Sequence, residues 1–200
     1  MQTIIVDLGG VLVEETTQLR DAAKQLGVAP HEISGRYWSE RDAWDRGGSN
    51  LDYWGAVAQG AGVSIDEDVA DALALHDASL WTTLRPAARQ ILADLSECPA
   101  PVWVLSNAAA IFEQAIDASD WREFIDGRFI SGALHTMKPE AEIYAHVEQE
   151  LGVDPAELFF VDDRPANIAA AQARGWQTHL WTSDEDTRAW LVEVGALAAA

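Results

Sequence analysis

Three short apolar runs in this 200-residue chain each end in residues able to do chemistry. Ile4-Ile5-Val6 ends in Asp7, Val102-Trp103-Val104-Leu105 ends in Ser106-Asn107, and Leu158-Phe159-Phe160-Val161 ends in Asp162-Asp163. Runs this short, rich in Val, Ile and aromatics, predict buried parallel strands. The carboxyl ends of such strands open onto one crevice, where ligands bind in an open α/β sheet. The placement therefore gathers three carboxylates and a hydroxyl. A strand-end Asp commonly caps the next helix, which accounts for one such residue more readily than for three. Clustered carboxylates repel one another unless a cation sits among them. Oxygen donors with no neighbouring His or Cys suit Mg²⁺.

The elements that must position these residues follow from the same patterning. Shorter runs at Phe129-Ile130 and at 178–181 extend the series of strands, and helical stretches lie between them at 108–118, 141–151 and 166–174. Pro165 near the start of the last helical stretch has no N–H to lose there, and Gly152 and Gly175 are natural helix stops. The alternation predicts an α/β fold with a doubly wound parallel sheet. Residues 15–80 break the alternation. Leu19, Ala22, Ala23 and Leu26 trace one amphipathic helix ended by Gly27, Val57, Ala58 and Ala61 trace another, and Gly47-Gly48-Ser49-Asn50 is a turn. This block reads as a helical cap inserted into a core made of residues 1–14 and 81–200.

Composition removes several function classes. With 13 basic and 33 acidic residues the formal net charge is −20, which argues against a nucleic-acid partner and against an anionic membrane surface. The single cysteine, Cys98, excludes a disulfide framework and a Cys-rich zinc site. No apolar run approaches the roughly 20 residues of a membrane span. Met1-Gln2-Thr3 leads directly into the first strand, so a secretory leader is not expected and a reducing cytoplasm is the expected compartment. The five histidines, His31, His76, His135, His146 and His179, share no metal-ligand spacing. Lysine is almost absent: Lys24 and Lys138 are the two in the chain.

Four segments, taken together and in order, resemble the haloacid dehalogenase-like superfamily. Asp7-Leu8-Gly9-Gly10-Val11-Leu12 is similar to its first motif, Leu105-Ser106-Asn107 to the second, Lys138-Pro139 to the third, and Asp162-Asp163-Arg164 with Asn167 to the fourth. Lys138-Pro139 with Ile143-Tyr144, followed by Phe160 to Asp163, Asn167 and Gly175, resembles a subgroup that includes small-molecule and sugar-phosphate phosphatases. The resemblance implies a Rossmann-like core with a helical cap after the first strand, Mg²⁺ as cofactor and a small phosphorylated metabolite as substrate. It implies Asp7 as nucleophile, attacking phosphorus to give a phospho-aspartyl intermediate. It implies the Gly9 carbonyl, Asp7 and Asp163 as metal ligands, with Asp162 bound directly or through water. Ser106 and the Asn107 N–H would hold phosphoryl oxygens, and Lys138 would supply positive charge to Asp7 and the phosphate. Asn167 would orient a metal-site carboxylate or Lys138 from behind.

One position departs from the family pattern. Phosphatases of this superfamily usually carry a second Asp two residues after the nucleophile, as general acid and base; here that position is Gly9. Three readings stay open: a phosphatase with a substitute acid, a binding protein with weak or no catalysis, and a metal-independent 2-haloacid dehalogenase. The paired Asp162-Asp163 has little purpose without a metal, which ranks the dehalogenase last. Glu14, Glu15, Glu40 and Asp42 are candidate substitutes, with Glu14 or Glu15 the simplest because they lie next to the first motif. In the cap, Trp38, Trp44, Trp54, Tyr37 and Tyr53 read mainly as packing, with one or two free to line a pocket. Arg41 and Arg46 are available either to a second anionic group of the substrate or to surface ion pairs, and Arg164 is expected in an ion pair beside the paired acids.

Overall fold

The computed structural model describes residues 2–14 and 17–198. After β1 (Thr3–Val6) come the helices α1 (Gln18–Leu26), α2 (Pro30–Ser39), α3 (Arg41–Asp45), α4 (Asn50–Gly60), α5 (Glu67–Leu80) and α6 (Pro86–Ser96). Then follow β2 (Val102–Ser106), α7 (Phe112–Asp117), β3 (Gly127–Ile130), α8 (Ser131–Leu134), α9 (Ala141–Leu151), β4 (Leu158–Asp162), α10 (Pro165–Ala173), β5 (Gln177–Leu180) and α11 (Asp184–Glu193). The strands form one parallel sheet in the order β3-β2-β1-β4-β5, with helices on both faces. This is the α/β, Rossmann-like arrangement expected from the sequence.

β1 lies at the centre, hydrogen-bonded to β2 on one side and β4 on the other. The chain moves outward to β3, returns to β4, and so changes direction beside β1. The three strands that carry the chemistry are therefore adjacent, and their carboxyl ends share one rim. Alternation sorts the strand residues between two cores. Ile4, Val6, Val102, Val104, Phe159 and Val161 face one, while Ile5, Leu105, Leu158 and Phe160 face the other with Ile143, Tyr144 and Trp176. Both faces of the central strands are thus covered, which explains their unbroken apolar character.

Local chemistry sets the helix ends. Pro30, Pro86 and Pro165 open α2, α6 and α10. Ser49, Asp66 and Ser183 cap α4, α5 and α11 by accepting from backbone N–H groups. Gly27 and Gly152 end α1 and α9 in the left-handed conformation. Helices α1–α5 lie between β1 and β2 and share a continuous apolar cluster with one face of the sheet. Tyr37, Trp44, Tyr53 and Trp54 are buried in this insert, with Trp44 stacked on Tyr53 at 4.2 Å between ring centroids. Among the described residues, no helix is long and apolar enough to cross a membrane.

Three expectations need correction. The run at 178–181 was expected to be a buried strand, but β5 is the sheet edge, and Gln177 and Leu180 are exposed. The helix expected over 108–118 begins only at Phe112, because Ala108 is held in a loop: its N–H donates to Ser131 Oγ at 2.9 Å. β3 extends two residues upstream of Phe129. Gly127 begins it, paired with Trp103, whose ring takes the space a Cβ at 127 would need.

Candidate active site

Asp7 follows the last residue of β1 and is 6% exposed. Its Oδ1 accepts from the Leu8 N–H at 2.7 Å and from Lys138 Nζ at 3.0 Å. Among the described residues, Oδ2 takes part in no hydrogen bond. Burial pushes the Asp7 carboxyl up to about 7, against the pull of Lys138.

Lys138, itself buried, fills the space between β1, β2 and β4. Its ammonium donates to the Leu105 carbonyl at 2.8 Å and to Asp162 Oδ2 at 2.7 Å, besides meeting Asp7. Those three acceptors match the three protons an ammonium offers. Burial alone would lower its pKa; Asp7 and Asp162 overcome that and hold it above the ordinary lysine value. The Asn107 side chain fixes the Lys138 backbone from both sides, accepting from its N–H and donating to its carbonyl, each at 2.8 Å.

The paired acids differ sharply. Asp162 is fully buried and its oxygens are engaged: Oδ1 accepts from the Arg164 N–H at 2.8 Å, Asn167 Nδ2 reaches both oxygens at 2.9 and 3.0 Å, and Lys138 holds Oδ2. Asp163 is half-buried and lines the cavity, its pKa raised by burial and by the neighbouring Asp162. Asn167 therefore contacts Asp162 rather than Asp163 or Lys138. Arg164 lines the same cavity and makes no salt bridge among the described residues, so the expected ion pair is not found there.

The loop after β1 is shaped to fit. Gly10 has φ +83°, and a Cβ there would collide with the Asp163 carboxylate. Arg85 braces the loop from below, donating to the Val11 carbonyl while pairing with Asp184 at 2.7 Å. Gly10→Ala combines backbone strain with displacement of Asp163. The expected result is a loss of about 1–3 kcal/mol in stability. Thermal unfolding checks this, and an unchanged melting temperature would mean the loop is not held against Asp163.

A cavity of about 530 Å³ opens above these residues. Asp7, Gly9, Ser106, Asn107, Lys138 and Asp163 form its floor, and Trp38, Arg41, Asp42, Asp45, Trp81 and Phe112 form its upper wall. Arg41 does not offer a free cation: Nη1 meets Asp77 at 3.0 Å, Nε lies 3.4 Å from Asp45, and the guanidinium sits over the Trp44 ring at 4.9 Å. Arg46 pairs with Glu140 at 2.5 Å and is not part of the wall. Glu14 is exposed and, like Glu40, lies outside the wall; Glu15 falls outside the described residues. Asp45 was not visible as a candidate in the sequence. Its spacing from Arg41 announces a helical ion pair, and nothing in that spacing says that the pair is buried.

Residues 1–175 match the family model of the haloacid dehalogenase-like hydrolases. The chain belongs to the haloacid dehalogenase-like hydrolase family. It is 36% identical over 95 residues to the sesquiterpene phosphatase astK of Aspergillus oryzae, a match covering 46% of this chain and 48% of that protein. The chain thus aligns with about half the length of that relative. It is 27% identical to the validoxylamine A 7'-phosphate phosphatase of Streptomyces hygroscopicus subsp. limoneus, over 86% of this chain and 81% of that protein. It is also 27% identical to the (S)-2-haloacid dehalogenase of Xanthobacter autotrophicus, over 88% of this chain and 73% of that protein. The fold matches a haloacid dehalogenase family enzyme of Bacteroides thetaiotaomicron, crystallised with magnesium and inorganic phosphate, with TM-score 0.69 and 20% identity over 91% of this chain and 94% of that one.

For a haloacid dehalogenase-like hydrolase, the donor set tests whether a metal belongs here. Oxygens of Asp7, Asp162 and Asp163 lie within 4.8 Å of one another. Lys138 offers one positive charge to three carboxyls, so their full ionisation leaves two negative charges for a cation to balance. The donors are oxygen only and suit a hard divalent cation. At Gly9, where most family phosphatases place their second Asp, a Cβ would stand 3.7 Å from the Trp81 ring, in ordinary van der Waals contact.

Proposed function

We propose that this hydrolase is a Mg²⁺-dependent phosphatase that cleaves a small phosphomonoester, a sugar phosphate being one such, through a phospho-aspartyl intermediate on Asp7. The observation that carries the reading is the carboxylate cluster: oxygens of Asp7, Asp162 and Asp163 lie within 4.8 Å of one another. An Asp that attacks carbon has no need of two further acids beside it, so the cluster favours phosphoryl transfer over dehalogenation. The phosphatase names of two relatives, and the magnesium and phosphate bound to the Bacteroides enzyme, support the same reading.

In this reading Leu8 N–H and Lys138 hold Asp7 Oδ1, which aims the unbonded Oδ2 at phosphorus. The Ser106 hydroxyl and the Asn107 N–H donate to the phosphoryl oxygens as charge moves onto them. Asp7, Asp163 and the Gly9 carbonyl would hold Mg²⁺, with Asp162 behind them. When bound, the ion offsets the repulsion between the phosphate and the carboxylate that attacks it. Asp162 and Asn107 act through Lys138, one on its ammonium and the other on its backbone. Trp38 and Trp81 give the leaving group an apolar wall.

The test is turnover of p-nitrophenyl phosphate with and without EDTA. The expected result is turnover that EDTA reduces to background and added Mg²⁺ restores, together with a higher melting temperature in Mg²⁺. Metal-free chloride release from 2-chloropropionate would establish the dehalogenase instead. Binding of metal and phosphate without turnover would establish a binding protein.

A further inference from the structure

We propose that Asp45, the last residue of α3, is the general acid and base of this site, and so supplies from the helical insert the proton transfer that Gly9 cannot. The proposal rests on the phosphatase reading above. Asp45 is 6% exposed and lines the cavity together with Asp7 and Ser106; its buried Oδ1 makes no hydrogen bond and has Arg41 Nε 3.4 Å away as its charged neighbour. A buried carboxyl at a cavity wall, held by a single long ion-pair contact, keeps hydrogen-bonding capacity for a group bound in the cavity. Its main chain is fastened to the catalytic loops. Ser131 Oγ donates to the Asp45 carbonyl at 2.6 Å and accepts from the Ala108 N–H at 2.9 Å, just after Ser106-Asn107.

Arg41 does not depend on Asp45 alone for a counter-ion. Arg41 has Asp77 at 3.0 Å, and Asp77 is almost fully buried. The charged groups acting on Asp45 are Arg41 and Asp42 from its own segment and Asp77 from α5. Burial prevails over the pull of Arg41 and pushes the carboxyl up to about 7, where a group both gives and takes a proton near neutrality. The other carboxyls of the wall and floor are less suited. Asp42 is exposed, and Asp163 belongs to the metal cluster.

The chemistry balances in two steps. Asp7 Oδ2 forms a bond to phosphorus as the bond from phosphorus to the ester oxygen breaks, and protonated Asp45 gives its proton to that oxygen, releasing an alcohol. Water then attacks the phospho-aspartate. Ionised Asp45 takes the proton from water, the bond from phosphorus to Asp7 breaks, and inorganic phosphate leaves with Asp7 and Asp45 in their starting states.

The test is rapid-mixing kinetics of the full chain in Mg²⁺ with p-nitrophenyl phosphate, whose activated leaving group departs without a proton. The wild type is expected to turn over steadily. In Asp45→Asn we expect a burst of about one nitrophenolate per chain, followed by a steady rate reduced roughly 10²–10⁴-fold, with acid-quenched protein carrying a phosphoryl group on Asp7 by mass. Asp45→Glu keeps a carboxyl opposite Arg41. It gives a second reading if the Asn variant is unstable, and its expected pattern is a retained burst with a reduced steady rate. A wild-type steady rate in folded Asp45→Asn overturns the proposal, as does loss of the burst from both variants. A wild type that never phosphorylates Asp7 overturns the phosphatase reading itself and is recognised before any Asp45 variant is made.

Discussion

Asp7→Asn is expected to lower turnover of p-nitrophenyl phosphate by at least about 10⁴-fold, as removal of an acting nucleophile does, while leaving the fold intact. The amide oxygen can still accept from the Leu8 N–H and from Lys138, so the contacts of Oδ1 survive. What is lost is the unbonded anionic oxygen. The variant is also expected to change how stability depends on pH. Asp7 and Asp45 are each pushed up to about 7 by burial, so each binds its proton more tightly folded than unfolded. Their contribution to stability is present in full below the ordinary aspartate range, near pH about 4, and is lost as pH rises to about 7. These two groups therefore take stability away from the metal-free chain over that window, and Asp7→Asn should lose less than the wild type. Melting curves in EDTA at the two ends of the window check this. Full activity in Asp7→Asn would place the nucleophile elsewhere.

Lys138→Met is expected to cost both turnover and about 3–5 kcal/mol of stability, the range for breaking a buried ion pair on one side. The methionine fills much of the volume, so the loss reads charge rather than a void. Asp162 has no solvent access and would face Asp7 with no cation between them. The loss should ease as pH falls and Asp7, whose proton burial holds more tightly, becomes neutral. It should also ease in Lys138→Met/Asp162→Asn, which removes one of the opposed charges, while turnover stays absent. Chemical denaturation of the single and double variants checks the pair. Equal stability of Lys138→Met and the wild type would mean that the ammonium is not needed to hold the floor together.

Much of this site was legible in the sequence because strand chemistry is local. An apolar run followed at once by Asp or Ser-Asn places that residue at a strand end, and the parallel sheet then brings the ends together. The adjacency of Asp162 and Asp163 was equally plain, but their division of labour was not. Which acid is sealed behind Lys138 and which faces the cavity depends on the strand pleat and on Asn167, five residues after Asp162. Arg41 shows the same limit more strongly. Its pairing with Asp77 joins residues 36 positions apart, and comes about through the packing of α5 against the rest of the insert. Asp45 stayed hidden because burial, which changes a surface ion pair into a cavity carboxyl, leaves no mark on residue spacing. The short α7 had a similar cause: a hydroxyl from Ser131 overrode the helix preference of an alanine-rich stretch.

The near-absence of lysine has a practical consequence for anyone handling this chain. Lys24 is exposed and Lys138 is 2% exposed. An amine-directed acylating reagent therefore meets one lysine side chain on the folded molecule, and reaches the second only when the ends of β1, β2 and β4 part. Labelling at Lys24 records reagent and time; labelling at Lys138 records openings of the floor. The ratio of the two modified peptides is an internal clock for site opening, with its calibration supplied by the same molecule.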